Sequence, residues 1–329
     1  MLIVGNGDDV HVGRHLLVAA GGRRGSAAEL VDVRDAFRGS SALQKLLWRW
    51  DRRPVNLRRF SQGVVEQCRR FEPSAVITTG VSPIDTTCLK ALRELGAWVV
   101  NYSTDDPFNR AHRAGWFIES LPQHDVVFSP RRANLEELRR AGCRDVRYLP
   151  FAYAPDQHFR EACEADSGSD VLFVGGADRE RVPLLGSLIE SGLDVALYGG
   201  YWNNYAVTRP AHRGHASFDQ IRHATRAAKV CLILVRRANR DGHVMRSFEA
   251  AACGGCLLVE DTPEHRDVFA DTVTYFSSKG EMVEQTRCLL ADPNRRRQSA
   301  EASYRRIVVE GRNTYSDRLQ TMLDAVTHA

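Results

Sequence analysis

Asp241-Gly-His-Val-Met-Arg-Ser-Phe-Glu-Ala-Ala-Ala-Cys-Gly-Gly255 is the stretch on which the reading of this chain turns. The apolar run at 230–235 before it predicts a buried parallel strand, and 256–259 after it predicts another. Between them lie a loop and a short helix at 245–254, rich in Ala, the strongest helix former. Such a helix points its unsatisfied N–H groups and positive dipole end at the loop, which suits an anion such as a phosphate. Asp241 and Glu249 bracket the unit with seven residues between them and can hold hydroxyl groups.

The same alternation extends in both directions. In the first half, strands are predicted at 2–4, 29–33, 75–79, 98–102, 126–128 and 146–149. Helices are predicted near 10–20, 57–71, 83–95, 113–121 and 130–141, the last stopped by Gly142. Residues 36–56, with Trp48 and Trp50 among arginines, fit neither period. Periodicity lapses over 150–169, which carries two prolines and Asp166-Ser-Gly-Ser169. It resumes with strands at 170–174, 195–198, 230–235, 256–259 and 273–276. Helices at 179–191, 217–227, 279–290, 293–310 and 315–326 accompany them. Strands alternating with helices imply parallel sheets. The predicted class is α/β, with two Rossmann-like doubly wound domains facing a cleft. The expected division is 1–155, a linker at 156–169, 170–312, and a helix at 313–329 packing back on the first domain.

Composition narrows the function classes. A length of 329 residues fits two domains of roughly 150 residues. A formal net charge of +4 is mild, and the arginine pairs read as solvated helix faces, so nucleic acid is not an expected partner. The opening Met1-Leu-Ile-Val reads as a strand, not a leader, and no apolar run reaches the ~18 residues of a membrane span. A cytoplasmic protein without a transmembrane segment is expected; a peripheral membrane contact and a homodimer stay open. Eight cysteines in a reducing compartment read as thiols, and Cys253-Gly-Gly-Cys256 reads as small residues packing helix on strand.

Ligands of open parallel sheets bind beyond the carboxyl ends of the strands. In the first half those ends carry Gly5, Asn6, Gly80, Asp105 and Asp106, with His11 and His112 in nearby loops. In the second they carry Gly175, Gly176, Arg179, Tyr201, Trp202, Asp241, Gly242 and His243. Arg179 and Arg246 are the cations best placed to neutralise a diphosphate. Gly5-Asn-Gly-Asp-Asp9 falls short of the dinucleotide fingerprint, because Val10 stands where a third Gly belongs. The second half has no Asp-x-Asp motif and no His cluster with ligand spacing, so neither a metal nor a cofactor is expected.

The second half resembles the donor domain of GT-B glycosyltransferases, retaining members of which carry Glu, seven residues, Glu, then Ala and Cys-Gly. Asp241 … Glu249-Ala-Ala-Ala-Cys-Gly254 fits with Asp for the first Glu. More closely, the chain is similar to CgeB-like spore-maturation glycosyltransferases. Thr104-Asp-Asp-Pro107, Tyr148-Leu-Pro-Phe-Ala152, Asp170-Val-Leu-Phe-Val-Gly175, Tyr198-Gly-Gly-Tyr-Trp202 and Met245-Arg-Ser-Phe-Glu249 carry that likeness, which spans residues 76–319. The first ~70 residues match poorly, which leaves the acceptor unnamed.

The resemblance implies a retaining, metal-independent hexosyltransferase acting on a nucleotide-diphosphate sugar. Glu249 would bind ribose hydroxyls and Asp241 the sugar. Backbone N–H groups of Gly242 and His243 would hold the diphosphate or sugar, with Arg179 and Arg246 stabilising the leaving group. The segment around His215 would hold the base, and Tyr201 and Trp202 would wall the cleft. One of Asp105 and Asp106 would act as base or positioning group toward an acceptor bound near Gly5, Asn6, His11, Gly80 and His112. Two alternatives stay open: an epimerase on the same fold, and a catalytically silent nucleotide-sugar binding protein.

Overall fold

The computed structural model describes every residue except 24, 26, 40, 111–112, 163–165 and 328–329, and only the backbone at 41, 238 and 327. The chain divides into two units. One comprises Met1–Pro150, Arg237–Asp241 and Tyr315–Ala329; the other comprises Phe151–Arg236 and Gly242–Thr314.

The first unit runs β1 (Leu2–Gly5), α1 (Val12–Gly21), β2 (Glu29–Asp32), α2 (Ser41–Asp51), α3 (Leu57–Phe71), β3 (Ala75–Thr79), α4 (Thr86–Glu94), β4 (Trp98–Tyr102), α5 (Gly115–Ser120), β5 (Val126–Ser129), α6 (Arg132–Arg140) and β6 (Val146–Tyr148). Its strands form one parallel sheet in the order β2-β1-β3-β4-β5-β6. Helices cover the faces, so β1 and β5 are buried along their whole length and read as continuous apolar runs. α3 shows how the covering helices are encoded. Leu57, Phe60, Val64, Val65 and Cys68 share one buried stripe, and Arg58, Arg59, Gln62, Glu66, Arg69 and Arg70 lie off it. The unassigned residues 36–56 fold as a 3-10 turn, Val33–Phe37, followed by α2. Trp48 fastens α2 by standing edge-on to Phe37, ring centroids 5.8 Å apart.

The second unit runs β7 (Val171–Val174), α7 (Arg181–Glu190), β8 (Val195–Tyr198), β9 (His212–Gly214), α8 (Phe218–Ala227), β10 (Val230–Ile233), α9 (Met245–Ala252), β11 (Leu257–Glu260), α10 (Pro263–Phe269), β12 (Thr274–Phe276), α11 (Lys279–Ala291) and α12 (Pro293–Tyr304). The sheet is parallel in the order β12-β11-β10-β7-β8-β9. Its core is built from Val171, Phe173, Leu197, Leu232 and Leu258 of the strands with Leu185, Leu188 and Leu289 of the helices. β9 is not foreseen because His212-Arg-Gly214 has no apolar member. α10 is short, though Thr262 at its cap and Pro263 at its first turn mark it. Residues 156–169, read as a linker, count with this unit. α13 (Tyr315–Thr327) counts with the first, where Tyr315 stacks on buried His15 at 4.8 Å. The architecture is thus two Rossmann-like α/β domains.

Each unit buries a histidine that burial pushes down to about 4: His124 in the first and His265 in the second. The folded values lie below the unfolded 6.5, so the unfolded chain binds the extra protons. Stability is therefore whole above pH 6.5 and is lost as pH falls from 6.5 toward about 4. The expected result is a melting temperature that declines over that window in calorimetry, with His124→Gln and His265→Gln each flattening the decline.

Candidate functional site

Strand order places the candidate donor site. The second sheet reverses direction between β7 and β10, which are hydrogen-bonded neighbours with Val171 opposite Val230. A crevice opens at such a reversal beyond the carboxyl ends of the strands. The Gly175-Gly176 loop leaves β7 there, and the segment entering α9 leaves β10.

α9 differs from its neighbours at the amino end. Ser217, Thr262, Ser278 and Asp292 each accept a first-turn N–H with their side chains and so cap α8, α10, α11 and α12. At α7, Asp178 accepts the Arg181 N–H at 2.8 Å. At α9 the cap is Val244, no side-chain cap bond is made, and the first turn holds no acidic residue. Arg246 lies in that turn, and one turn on it meets Glu249, Nη1 to Oε2 at 2.8 Å. Glu249 is buried, and its other oxygen lies 3.8 Å from Nε2 of His158, itself buried. On its other side, His158 Nδ1 lies 3.1 Å from the Ala154 backbone nitrogen and 3.2 Å from the Ala154 carbonyl oxygen. Burial lowers the His158 imidazole, and the Glu249 charge only partly offsets it. His158 stands in the stretch read as linker, where no periodicity singles it out.

The glycine loops behave as close-packed backbone. The Gly175 N–H donates to Tyr198 at 2.8 Å and that of Ala177 to Gly200 at 2.9 Å. Gly199 has φ +126° and a Cβ there would lie 2.5 Å from the Gly175 carbonyl oxygen. Gly199→Ala is therefore expected to lower stability by about 1–2 kcal/mol, measured by urea unfolding. His215 reaches the same loops, its ring 3.9 Å from a Cβ placed on Gly200.

Several expected roles change. Arg179 is exposed; Arg181 is the arginine that turns in, donating to the Gly176 carbonyl at 3.1 Å with its guanidinium 5.4 Å from the centre of the Phe173 ring. Trp202 does not wall a cleft. It is fully buried against Phe173, and its indole N–H donates to the Gly175 carbonyl at 2.8 Å. Tyr201 beside it is 70% exposed and held at φ +72°, a costly conformation for a residue with a side chain. The His243 ring is buried between Phe151 and Phe248, and its Nε2 accepts the Phe151 N–H at 3.0 Å. The Gly242 carbonyl accepts from Thr262, and the Glu264 carboxylate packs against Gly242. Cys253 and Cys256 are buried free thiols, each pushed up to about 12 by burial, as small packing residues should be.

Asp241 and Asp106 are corrected most. Asp241 accepts from Arg131 Nε at 2.5 Å and from Asn239 at 3.1 Å, with the Arg131 and Asp241 side chains 2% and 7% exposed. Asp106 is fully buried. Arg240 donates to both its oxygens, at 2.6 and 2.8 Å, and Asn134 and the Phe108 N–H add bonds at 2.8 and 3.0 Å. Burial alone would raise its carboxyl, but these donors outweigh it and hold the group below the usual range. Both aspartates anchor the 237–241 loop in the first unit, and neither stands ready as a base.

Asp105 remains exposed and lies against Gly80, where a Cβ would come within 2.7 Å of Oδ2. With Phe37, Trp48, Arg52, Val81 and Trp116 it lines a cavity of about 150 Å³. Gly5 packs against Thr79 and Gly13, and the Asn6 side chain accepts the Asp8 N–H at 2.9 Å, so both shape the β1–α1 turn. His11 is exposed at the α1 cap. His112 lies outside the described residues.

Residues 179–324 match the family model described as glycosyl transferase-like. No curated protein matches the chain by sequence. The fold is similar to that of sucrose-phosphate synthase from Thermosynechococcus elongatus, with TM-score 0.70 and 12% identity over 99% of this chain and 98% of that one. It is also similar to an E. coli trehalose-6-phosphate protein bound with UDP-2-fluoro glucose, with TM-score 0.64 and 11% identity over 100% and 99%. A putative UDP-N-acetylglucosamine 2-epimerase from Listeria monocytogenes gives TM-score 0.61 and 14% identity over 99% and 95%. The family match covers under half of the chain, and the likeness to the solved structures is one of fold.

Proposed function

We propose that the second unit binds a nucleotide-diphosphate sugar and that the chain transfers the sugar to an acceptor, with retention of anomeric configuration and without a divalent metal. The observation that carries this is the amino end of α9, uncapped and backed by Arg246 and Glu249 at the sheet's reversal point. Cleavage of the sugar–phosphate bond gathers negative charge on the departing diphosphate. The first-turn N–H dipoles of α9 and the Arg246 guanidinium are fixed donors for that charge and lower the barrier electrostatically. Glu249 takes the ribose hydroxyls, its carboxylate tethered to Arg246 and facing the His158 ring. The glycines after β7 let the ligand approach the backbone, and Arg181 holds that loop in shape. Tyr201 and His215 flank the donor. In the first unit, Asp105 and the aromatic cavity beside it receive the acceptor, with the carboxylate positioning its hydroxyl or taking its proton. The likeness to CgeB-like enzymes supports a hexosyl donor.

The test is release of nucleoside diphosphate from a panel of nucleotide sugars, with and without pooled acceptors. Acceptor-stimulated release from one donor is expected, and proton NMR of the anomeric centre reports its stereochemistry. Tight binding with no turnover of any donor would instead favour a silent binding protein. The likeness to an epimerase supports a second reading, which predicts an isomerised nucleotide sugar when acceptor is left out.

A further inference from the structure

Helix α2 turns an apolar stripe to solvent. Leu43, Leu46 and Trp50 stand three and four residues apart, hence on one face, and are 47%, 62% and 87% exposed. The opposite side is fastened by specific contacts. Trp48 meets Phe37 edge-on, Gln44 accepts the Val55 N–H at 2.9 Å, and Asp51 accepts the Gly115 N–H at 2.6 Å. Single exposed apolar residues are ordinary on protein surfaces. Three aligned over two turns, one of them a nearly bare tryptophan, mark a surface that something covers.

Charge identifies what covers it. Lys45 and Arg49 are exposed, four residues apart, and border the stripe. The one acidic residue of α2, Asp51, is turned inward to Gly115. The surface is thus an apolar band with Lys45 and Arg49 along one edge and the only carboxylate of α2 turned away from it. A bilayer bearing anionic lipid offers the complement, an acyl boundary for Leu and Trp and phosphates for Lys and Arg. Trp is suited to that boundary because its ring is apolar and its N–H can stay wet. Eleven residues at 1.5 Å each span about 16 Å, enough to lie in the interface and too little to cross it. No helix among the described residues is long and apolar enough to cross a membrane.

We propose that α2 docks the first unit on an anionic membrane surface, with Leu43, Leu46 and Trp50 in the acyl boundary and Lys45 and Arg49 on lipid phosphates. This goes beyond sugar transfer and stands whether or not the donor reading holds.

Co-sedimentation of the full chain with vesicles of phosphatidylcholine, with or without phosphatidylglycerol, tests it. Binding to the anionic vesicles alone is expected, weakening as salt rises. Leu46→Ser with Trp50→Ser should lower partitioning about tenfold or more. Lys45→Glu with Arg49→Glu should remove the preference for anionic lipid. Circular dichroism and melting temperature confirm that the variants fold, and nucleotide binding by the second unit serves as an independent readout. Equal binding by the stripe variant, or no binding of the unaltered chain to either vesicle, overturns the proposal. A concentration-dependent dimer that Trp50→Ser dissolves, without vesicle binding, also overturns it and assigns the face to a second copy.

Discussion

Asp241→Ala is expected to cost about 3–5 kcal/mol of folding stability, the range for removing one partner of a buried ion pair. The pair in question is Arg131–Asp241, both side chains nearly inaccessible, with Nε to Oδ1 at 2.5 Å. Without Asp241 the Arg131 guanidinium stays buried with its main counter-charge gone. Asn239, which also donates to Asp241, loses its acceptor. Urea unfolding followed by tryptophan fluorescence measures the loss. A restoring control is Arg131→Met combined with Asp241→Leu, which removes both charges and should recover much of the stability, because apolar replacements of buried pairs are often neutral. If Asp241→Ala left stability unchanged and weakened only donor binding, Asp241 would be a sugar ligand after all.

Glu249→Gln is expected to weaken nucleotide binding by about 1.5–3 kcal/mol, roughly ten- to a hundredfold, the range for hydrogen bonds to a charged group. The amide keeps the size of the carboxylate but withdraws one acceptor and the charge that pairs with Arg246 at 2.8 Å. Arg246 then loses its tether in the α9 turn and holds a diphosphate less rigidly. The substitution also removes the charge facing His158, so the imidazole should titrate lower still, which NMR of the ring protons reads. Calorimetry with the matching nucleoside diphosphate gives the affinity. An unchanged constant would remove Glu249 from the site and leave it a packing residue of α9.

The sequence made most of the fold legible because both sheets are parallel and covered on both faces. Strands such as β7, β8 and β10 are therefore continuous apolar runs, and α3 carries a single clean stripe. Residues 36–56 resisted reading for a physical reason: α2 is apolar on its outer face and fastened by Gln44, Trp48 and Asp51 on its inner one, so its pattern is inverted. The glycine loops and α9 were legible as a phosphate-binding arrangement, since Gly content and helix ends are local properties. Side-chain direction was not. Arg179 and Arg181 are near neighbours in one loop-to-helix turn, and only the fold decides that Arg181 faces Phe173. Nor could spacing show that Asp106 meets Arg240 and Asp241 meets the buried Arg131, each more than a hundred residues away, or that Trp202 lies under Gly175. Burial of a polar group depends on long-range partners, and those appear only once the sheets are assembled.

The central claim is that the amino end of α9 receives the diphosphate of a nucleotide sugar. Isothermal titration of the full chain with uridine, guanosine, adenosine, cytidine and thymidine diphosphates tests it most directly, repeated with Arg246→Ala. The account predicts saturable binding of at least one of them, released by Arg246→Ala and insensitive to chelator. Absence of heat with every nucleotide, or an affinity that Arg246→Ala leaves untouched, would contradict it.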